Sequence, residues 1–217
     1  GYAGAAMGLK VWAAQQAGDL PGPASVDPYP SKDALLADLV SDLSAGLANG
    51  AEKPTSIIIG ALGRVGSGAG DLLTAMGLEV TRWDMAQTTK GGPFPEILDH
   101  NLFVNCVLAM PGIPVFVPKS AITAPRRLSV IADVSCDPSS AYNPIPIYDH
   151  STSFSNPVIR VSANPKLDVM AIDNLPSMLP VESSQDYAAQ LLPALATLDQ
   201  IDQGLWGRAR TIFDKHT

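Results

Sequence analysis

Three glycines and one carboxylate carry the most legible chemistry in this chain. Ile57-Ile58-Ile59 runs into Gly60-Ala61-Leu62-Gly63-Arg64-Val65-Gly66, and Asp84 closes Val80-Thr81-Arg82-Trp83-Asp84 eighteen residues after the last glycine. A β-branched run that ends in spaced glycines and opens a helix prepares a site for a dinucleotide, with the acid at the next strand end taking the ribose. Gly60 lets the chain leave the strand in a tight turn. Gly63 removes the Cβ that would block a pyrophosphate, and Gly66 lets the helix sit against the strand. The helix N-terminus then offers free N–H groups and partial positive charge to phosphates. A carboxylate at Asp84 repels a 2′-phosphate, which favours NAD over NADP. The spacing is G-x-x-G-x-x-G, a variant of the usual fingerprint. Two other readings therefore stay open on these residues: a turn for an adenosyl methyl donor, and a plain βα turn with a surface Asp.

The elements that must position these groups can be read from periodicity. The isoleucine run has no polar alternation, as in a central parallel strand covered on both faces. After it, Ala69, Leu72, Leu73 and Met76 recur at helical spacing. Residues 1 to 17, rich in Ala and Gly with Met7, Leu9, Val11 and Trp12, predict a close-packed helix weakened by its glycines. Asp19 to Pro30 is a Pro-rich loop. Ser31 caps a second helix whose apolar face is Leu35, Leu36, Leu39, Val40, Leu43 and Leu47.

Strands are predicted at about 55 to 60, 78 to 84, 102 to 104, 128 to 132 and 167 to 172. Loops and short strands fill 138 to 165. Ser183 and Asp186 form a capping pair for a helix broken or kinked near Pro193, and a short helix spans 206 to 213. The fold class is α/β: a Rossmann-like, doubly wound parallel sheet. Residues 1 to 177 are expected to form its domain, and residues 178 to 217 a helical segment that belongs to or packs on a further domain. Polar residues just after successive strands, Asn105-Cys106 and Asp133 to Asp137, line the carboxyl edge where ligands bind such sheets.

Composition narrows the function classes. The 217 residues carry a net charge of −7 and 46% hydrophobic side chains, enough for a substantial core. The acidic balance argues against a nucleic-acid surface or an anionic membrane partner. No apolar stretch reaches membrane-span length and the first residues resemble no leader, so the expected location is cytoplasmic. Cys106 and Cys136 are too few for a disulfide scaffold. His100, His150 and His216 show no ligand spacing, so no metal is expected.

Several strings together resemble a known family. Gly60-Ala61-Leu62-Gly63-Arg64 with Gly66-Ser67-Gly68-Ala69, Trp83-Asp84-Met85 with Gly91-Gly92-Pro93-Phe94, and Val104-Asn105-Cys106 come first. Ala132-Asp133-Val134-Ser135-Cys136-Asp137, Asn143-Pro144-Ile145-Pro146-Ile147-Tyr148 and Ile172-Asp173-Asn174-Leu175-Pro176-Ser177-Met178-Leu179-Pro180 follow in order. These resemble the lysine-forming, NAD-dependent saccharopine dehydrogenases best known from fungi. The resemblance implies two Rossmann-like domains with a cleft between them and oxidative cleavage of saccharopine to lysine and 2-oxoglutarate, NAD accepting the hydride. Family members are longer at the N-terminus, where the lysine and histidine assigned as acid–base catalysts lie. The chain begins at Gly1 inside a helical pattern, so the expectation is an NAD-binding portion that lacks the N-terminal catalytic domain and binds NAD without turnover.

By the same resemblance, Gly63 and Arg64 meet the pyrophosphate, Asp84 the adenosine ribose, and Thr88 lies beside it. Leu108 and Val134 flank the adenine and nicotinamide sides, and Ile172, Asp173, Asn174 and Leu175 approach the nicotinamide end. Ser135, Cys136 and Asp137 border the small-molecule substrate. On residue type alone Leu108, Val134 and Ile172 read equally as core, and Ser135 or Asp137 as caps of a following helix. The chain departs from the fungal pattern at three places: Asn174 stands where those enzymes have histidine, Val65 where they can carry a cysteine able to pair with the counterpart of Cys106, and Leu108 where they have an aromatic residue.

Overall fold

A computed structural model describes residues 1–18 and 21–217. Asp19 and Leu20, in the Pro-rich loop predicted from 19 to 30, lie outside the described residues. Helix α1 (Tyr2–Ala17) and helix α2 (Lys32–Leu47) lead into strand β1 (Ser56–Ile59), helix α3 (Arg64–Ala75), strand β2 (Val80–Trp83) and the one-turn helix α4 (Met85–Thr88). Strands β3 (Leu102–Asn105), β4 (Val130–Asp133), β5 (Ile159–Ala163) and β6 (Lys166–Met170) complete the sheet, and helices α5 (Pro180–Leu195) and α6 (Gly204–His216) close the chain.

The six strands lie in the order β2-β1-β3-β4-β6-β5. Strands β2, β1, β3, β4 and β6 are parallel, and β5 runs antiparallel to β6 at one edge. This is the Rossmann-like α/β fold read from the sequence, with an antiparallel edge strand added. After β1 the chain moves outward to β2 and then crosses back to β3 on the other side of β1. The carboxyl ends of β1 and β3 therefore form the topological switch point, where connections diverge and leave a crevice.

All four β1 residues are buried, and their side chains alternate between two cores. Ile58 joins Leu102, Val104, Val130, Ala132 and Met170 beneath α1, α2 and α3. Ile57 and Ile59 face Phe94, Ile97, Phe103, Phe116 and Ile145, contributed largely by irregular chain and 3-10 turns rather than by α-helices. Complete burial of each such side chain is worth roughly 1.5–3 kcal/mol.

Helix α1 is buried on nearly every side, including at Gly4 and Gly8. A Cβ at Gly4 would stand 2.4 Å from Val134 Cγ2, and one at Gly8 would stand 2.8 Å from Leu102 Cδ1. Glycine lowers intrinsic helix propensity but permits this close seating on β3 and β4, and tertiary packing prevails. Lys10 is the charged exception on α1. Its side chain is 8% exposed, and its ammonium contacts Asp38 at 2.6 Å and Asp42 at 2.5 Å, joining α1 to α2. Asp38 also accepts from the Tyr29 hydroxyl.

Ser31 caps α2 as predicted, its Oγ accepting from Ala34 N–H at 3.2 Å. Leu35, Leu39 and Leu43 face inward, whereas Val40 is 55% exposed and does not share the predicted apolar face. The Ser183/Asp186 cap is also corrected: the N-cap of α5 is Leu179, four residues earlier, with Pro180 in the first turn, where a missing N–H costs nothing. Ser183 instead donates to Pro176 O, and Asp186 lies within the helix. Pro193 sits inside α5, which continues through Leu195. Among the described residues no helix is long and apolar enough to cross a membrane.

Candidate cofactor site

The glycine turn folds as its residue types require. Gly60 has φ of +84°, and a Cβ there would lie 2.8 Å from the Cys106 carbonyl oxygen, so the β1 and β3 ends can approach only with glycine in place. At Gly66 a Cβ would come within 2.1 Å of Gly60 O, which is the close helix–turn packing the spacing predicts. Gly63 differs: its only neighbour would be Gly60 O at an ordinary 3.4 Å. Packing within the chain does not require glycine at 63. The space its missing side chain leaves faces outward, beside the N-terminus of α3, where no side chain caps the helix.

Asp84 is fixed by two local roles. Its Oδ1 accepts from Met85 N–H at 2.8 Å, and Gln87 Oε1 accepts from Asp84 N–H at 2.9 Å, a reciprocal cap on α4. Its Oδ2 accepts from Leu62 N–H at 2.9 Å and so ties the end of β2 to the glycine turn. Each oxygen retains a lone pair for a further donor. Thr88 donates its hydroxyl to Asp84 O at 3.2 Å.

These residues meet in an open groove of about 410 Å³ at the switch point, lined by Gly60, Gly63, Asp84, Met85, Thr88 and Leu108 among others. Leu108 is 70% exposed, so of the two readings of its residue type the core one is set aside. Arg64 stands at the start of α3, beside the groove, with its guanidinium turned to Asp186 of α5.

The remaining predicted residues sit farther along the carboxyl edge. Val134 is half-buried against α1, and the side chains of Ile172 and Leu175 are buried in the core. Asp173 and Asn174 are exposed. Ser135, Cys136 and Asp137 are half-buried after β4, in a turn that leads into no helix, so the capping alternative does not apply to them.

Ser135 Oγ donates to Val107 O and is engaged within the protein. The Cys136 thiol donates to Ala171 O at 2.9 Å, and burial together with Asp173, Asp133 and Asp137 pushes its pKa up to about 11. Burial pushes Cys106 up to about 12.

Asn105 and Asp133, expected from the sequence to line this edge, are instead buried beneath it and bonded to one another. Asp133 is 1% exposed and Asn105 is fully buried. Asp133 accepts from Tyr148 O–H at 2.6 Å, from Asn105 Nδ2–H at 2.9 Å and from Cys136 N–H at 3.3 Å. Burial raises its pKa, with the Tyr148 and Asn105 bonds acting in the opposite direction. The available signal was positional: Asn105 and Asp133 each close a strand, and the two strands pair in register there.

Taken together, the strand order, the glycine turn and the switch-point groove define an α/β protein of the Rossmann-like class. No protein-family profile matches the chain. Along its whole length it is homologous to curated fungal saccharopine dehydrogenases that use NAD(+) and form L-lysine. The protein of that name from Yarrowia lipolytica is 44% identical over 227 residues, and that from Candida albicans 41% over 237, each covering 100% of this chain and 61% of the relative. The Neurospora crassa protein is 43% identical over 223 residues, covering 99% of this chain and 60% of its own length. The chain thus spans about 61% of the relatives it matches.

Proposed function

We propose that this chain is the NAD-binding part of a saccharopine dehydrogenase and holds the cofactor in the switch-point groove. The observation that carries the reading is Gly63, a glycine that internal packing does not require, placed beside an uncapped helix N-terminus and across the groove from Asp84. The α3 N–H groups and Arg64 bind the pyrophosphate, Asp84 accepts from the adenosine ribose with Thr88 beside it, and Leu108 covers the adenine side. The nicotinamide half then extends toward the ends of β4 and β6, along Val134 and the backbone of Ile172 to Leu175. Asp173 and Asn174 offer polar groups there, and Ser135 to Asp137 border the substrate.

In this reading the groove would hold NAD as acceptor of a hydride from the carbon bearing the secondary amine of saccharopine, and water would hydrolyse the resulting imine to lysine and 2-oxoglutarate. Lysine and histidine, the residue types that the resemblance assigns to acid–base catalysis, do not line this groove among the described residues. The reading is that this stretch binds NAD without turnover by itself, with the catalytic acid and base supplied by the part of the relatives' length that it does not span.

Residues 178–217 are proposed to pack on that further domain. Among the described residues of α5 and α6 none is buried, and Tyr187, Leu192, Leu195 and Leu198 are 65%, 66%, 44% and 48% exposed. Exposed apolar side chains grouped in this way support that reading.

Titration calorimetry tests the reading directly. Saturable binding of NAD, weakened by Asp84→Ala, is the expected result. A folded sample that shows no heat with NAD overturns it.

A further inference from the structure

The carboxyl edge of the sheet is held by one buried carboxylate. Asp133 ends β4, receives Asn105 Nδ2–H from the paired end of β3, and receives Tyr148 O–H from a later loop. Asn105 Oδ1 in turn accepts from Val107 N–H at 3.3 Å, and Ser135 donates back across to Val107 O. The loops after β3 and β4 are therefore closed on one another through Asp133 below and Ser135 above.

The same carboxylate holds an unusual backbone. Cys136 is the one non-glycine residue with positive φ (49°) among the described residues, and its N–H points at Asp133 Oδ1. A left-handed conformation in a residue with a Cβ persists only when its surroundings over-determine it. Here those surroundings are Asp133 on the backbone and Ala171 O on the thiol.

We propose that Asp133, assisted by Tyr148 and Ser135, is a positioning residue for the nicotinamide end of the cofactor. It touches no cofactor atom. It sets the path of residues 134–137 relative to residues 107–108 and so fixes the distance between the nicotinamide and adenine sides of the groove. The proposal rests on the NAD-binding reading above. Asp84 and the glycine turn lie two and one strands away from β3, so the ribose and pyrophosphate contacts stand apart from this network, and only the apolar contact of Leu108 with adenine follows Val107.

The test compares NAD with ADP-ribose, the same molecule without nicotinamide, by calorimetry on the full chain. Asp133→Asn keeps the shape but presents an N–H₂ to one of three donors. It is expected to weaken NAD about five-fold or more while leaving ADP-ribose within about two-fold of wild type. Ser135→Ala, which removes only the upper link, is expected to act in the same direction by a smaller factor and decides the question where Asp133→Asn fails to fold. Equal weakening of both ligands, or no change in either, overturns the positioning role while NAD binding by the wild type stands. A wild type that binds neither ligand overturns the cofactor reading and this proposal with it.

Discussion

Arg64, the residue that opens α3 at the glycine turn, places Nη2 2.9 Å from Asp186 Oδ2 on α5, a carboxylate that also accepts from Gln190 at 2.7 Å. The guanidinium proposed to meet the pyrophosphate is thus shared with the C-terminal helix. Both side chains are well exposed, at 71% and 63%, so the pair is weak and screened by salt. Asp186→Ala releases Arg64 and is expected to tighten NAD binding by about two- to three-fold at low ionic strength, with the gain vanishing near ~1 M salt. Calorimetry at the two ionic strengths checks this, and weaker binding at low salt would show that Asp186 supports the site.

Asp84 serves the fold and the proposed ligand together, and two substitutions separate the roles. Asp84→Ala removes the α4 cap and the Leu62 tie, at a cost of about 1 kcal/mol in stability, and weakens NAD about ten-fold or more. Asp84→Asn keeps an acceptor for one N–H but loses the charge. It is expected to narrow the preference for NAD over NADP, because the repulsion of a 2′-phosphate goes with the charge. Denaturant melts and paired NAD and NADP titrations read the two effects independently.

The Lys10 clamp gives stability a defined pH dependence. Burial opposes the Lys10 charge, but bonds to Asp38 and Asp42 outweigh it and raise its pKa. Bonds from Lys10 and Tyr29 lower the pKa of Asp38. A lowered carboxyl contributes stability present above its unfolded pKa, about 4, and lost as pH falls through the folded value. A raised lysine contributes stability present below its unfolded pKa, about 10.4, and lost as pH rises through the folded value. Stability from this cluster is therefore level between those limits and falls outside them. Lys10→Met is expected to cost about 1–3 kcal/mol at neutral pH and to flatten the acid limb, measured by urea unfolding from pH 3 to 7.

Both thiols are held protonated by burial, at pKa values pushed up to about 12 for Cys106 and about 11 for Cys136. Since the thiolate is the nucleophile, iodoacetamide is expected to modify neither quickly at pH 7.5 in the folded chain and both after denaturation. Peptide mass spectrometry after timed labelling reads this out. Rapid native labelling of Cys136 would show that its hydrogen bond to Ala171 opens readily.

What was legible in the sequence follows from where local chemistry alone decides the structure. The Ser31 cap and the packing of Gly66 on the turn act within a few residues, the isoleucine run and Gly60 carry residue types whose backbone preference is strong in any context, and each forms as read. The start of α5 was misplaced because Ser183 and Asp186 satisfy a capping pattern, while Pro180 starts a helix equally well and precedes them. Val40 has the spacing of a core residue, but the stripe that α1 covers is narrower. The candidate site was legible where one turn and one strand end make it. The Asp133 network was not, because Asn105, Asp133 and Tyr148 come from three separate segments that only strand pairing brings together.

The glycine-lined seating of α1 bears on how this chain folds. The helix precedes every strand, yet it seals the face formed by β3, β4 and β6, which begin only at Leu102, Val130 and Lys166. Its contacts with the sheet are therefore of long sequence separation, and loop-closure entropy must be met before they contribute. Collapse of β1 to β4 without α1 leaves Leu102, Val130 and Ala132 uncovered, a surface prone to association during refolding. The slow step of folding is expected to be the docking of α1. A Gly8→Leu variant, too bulky for that seat, should accumulate an intermediate with the sheet formed and α1 undocked.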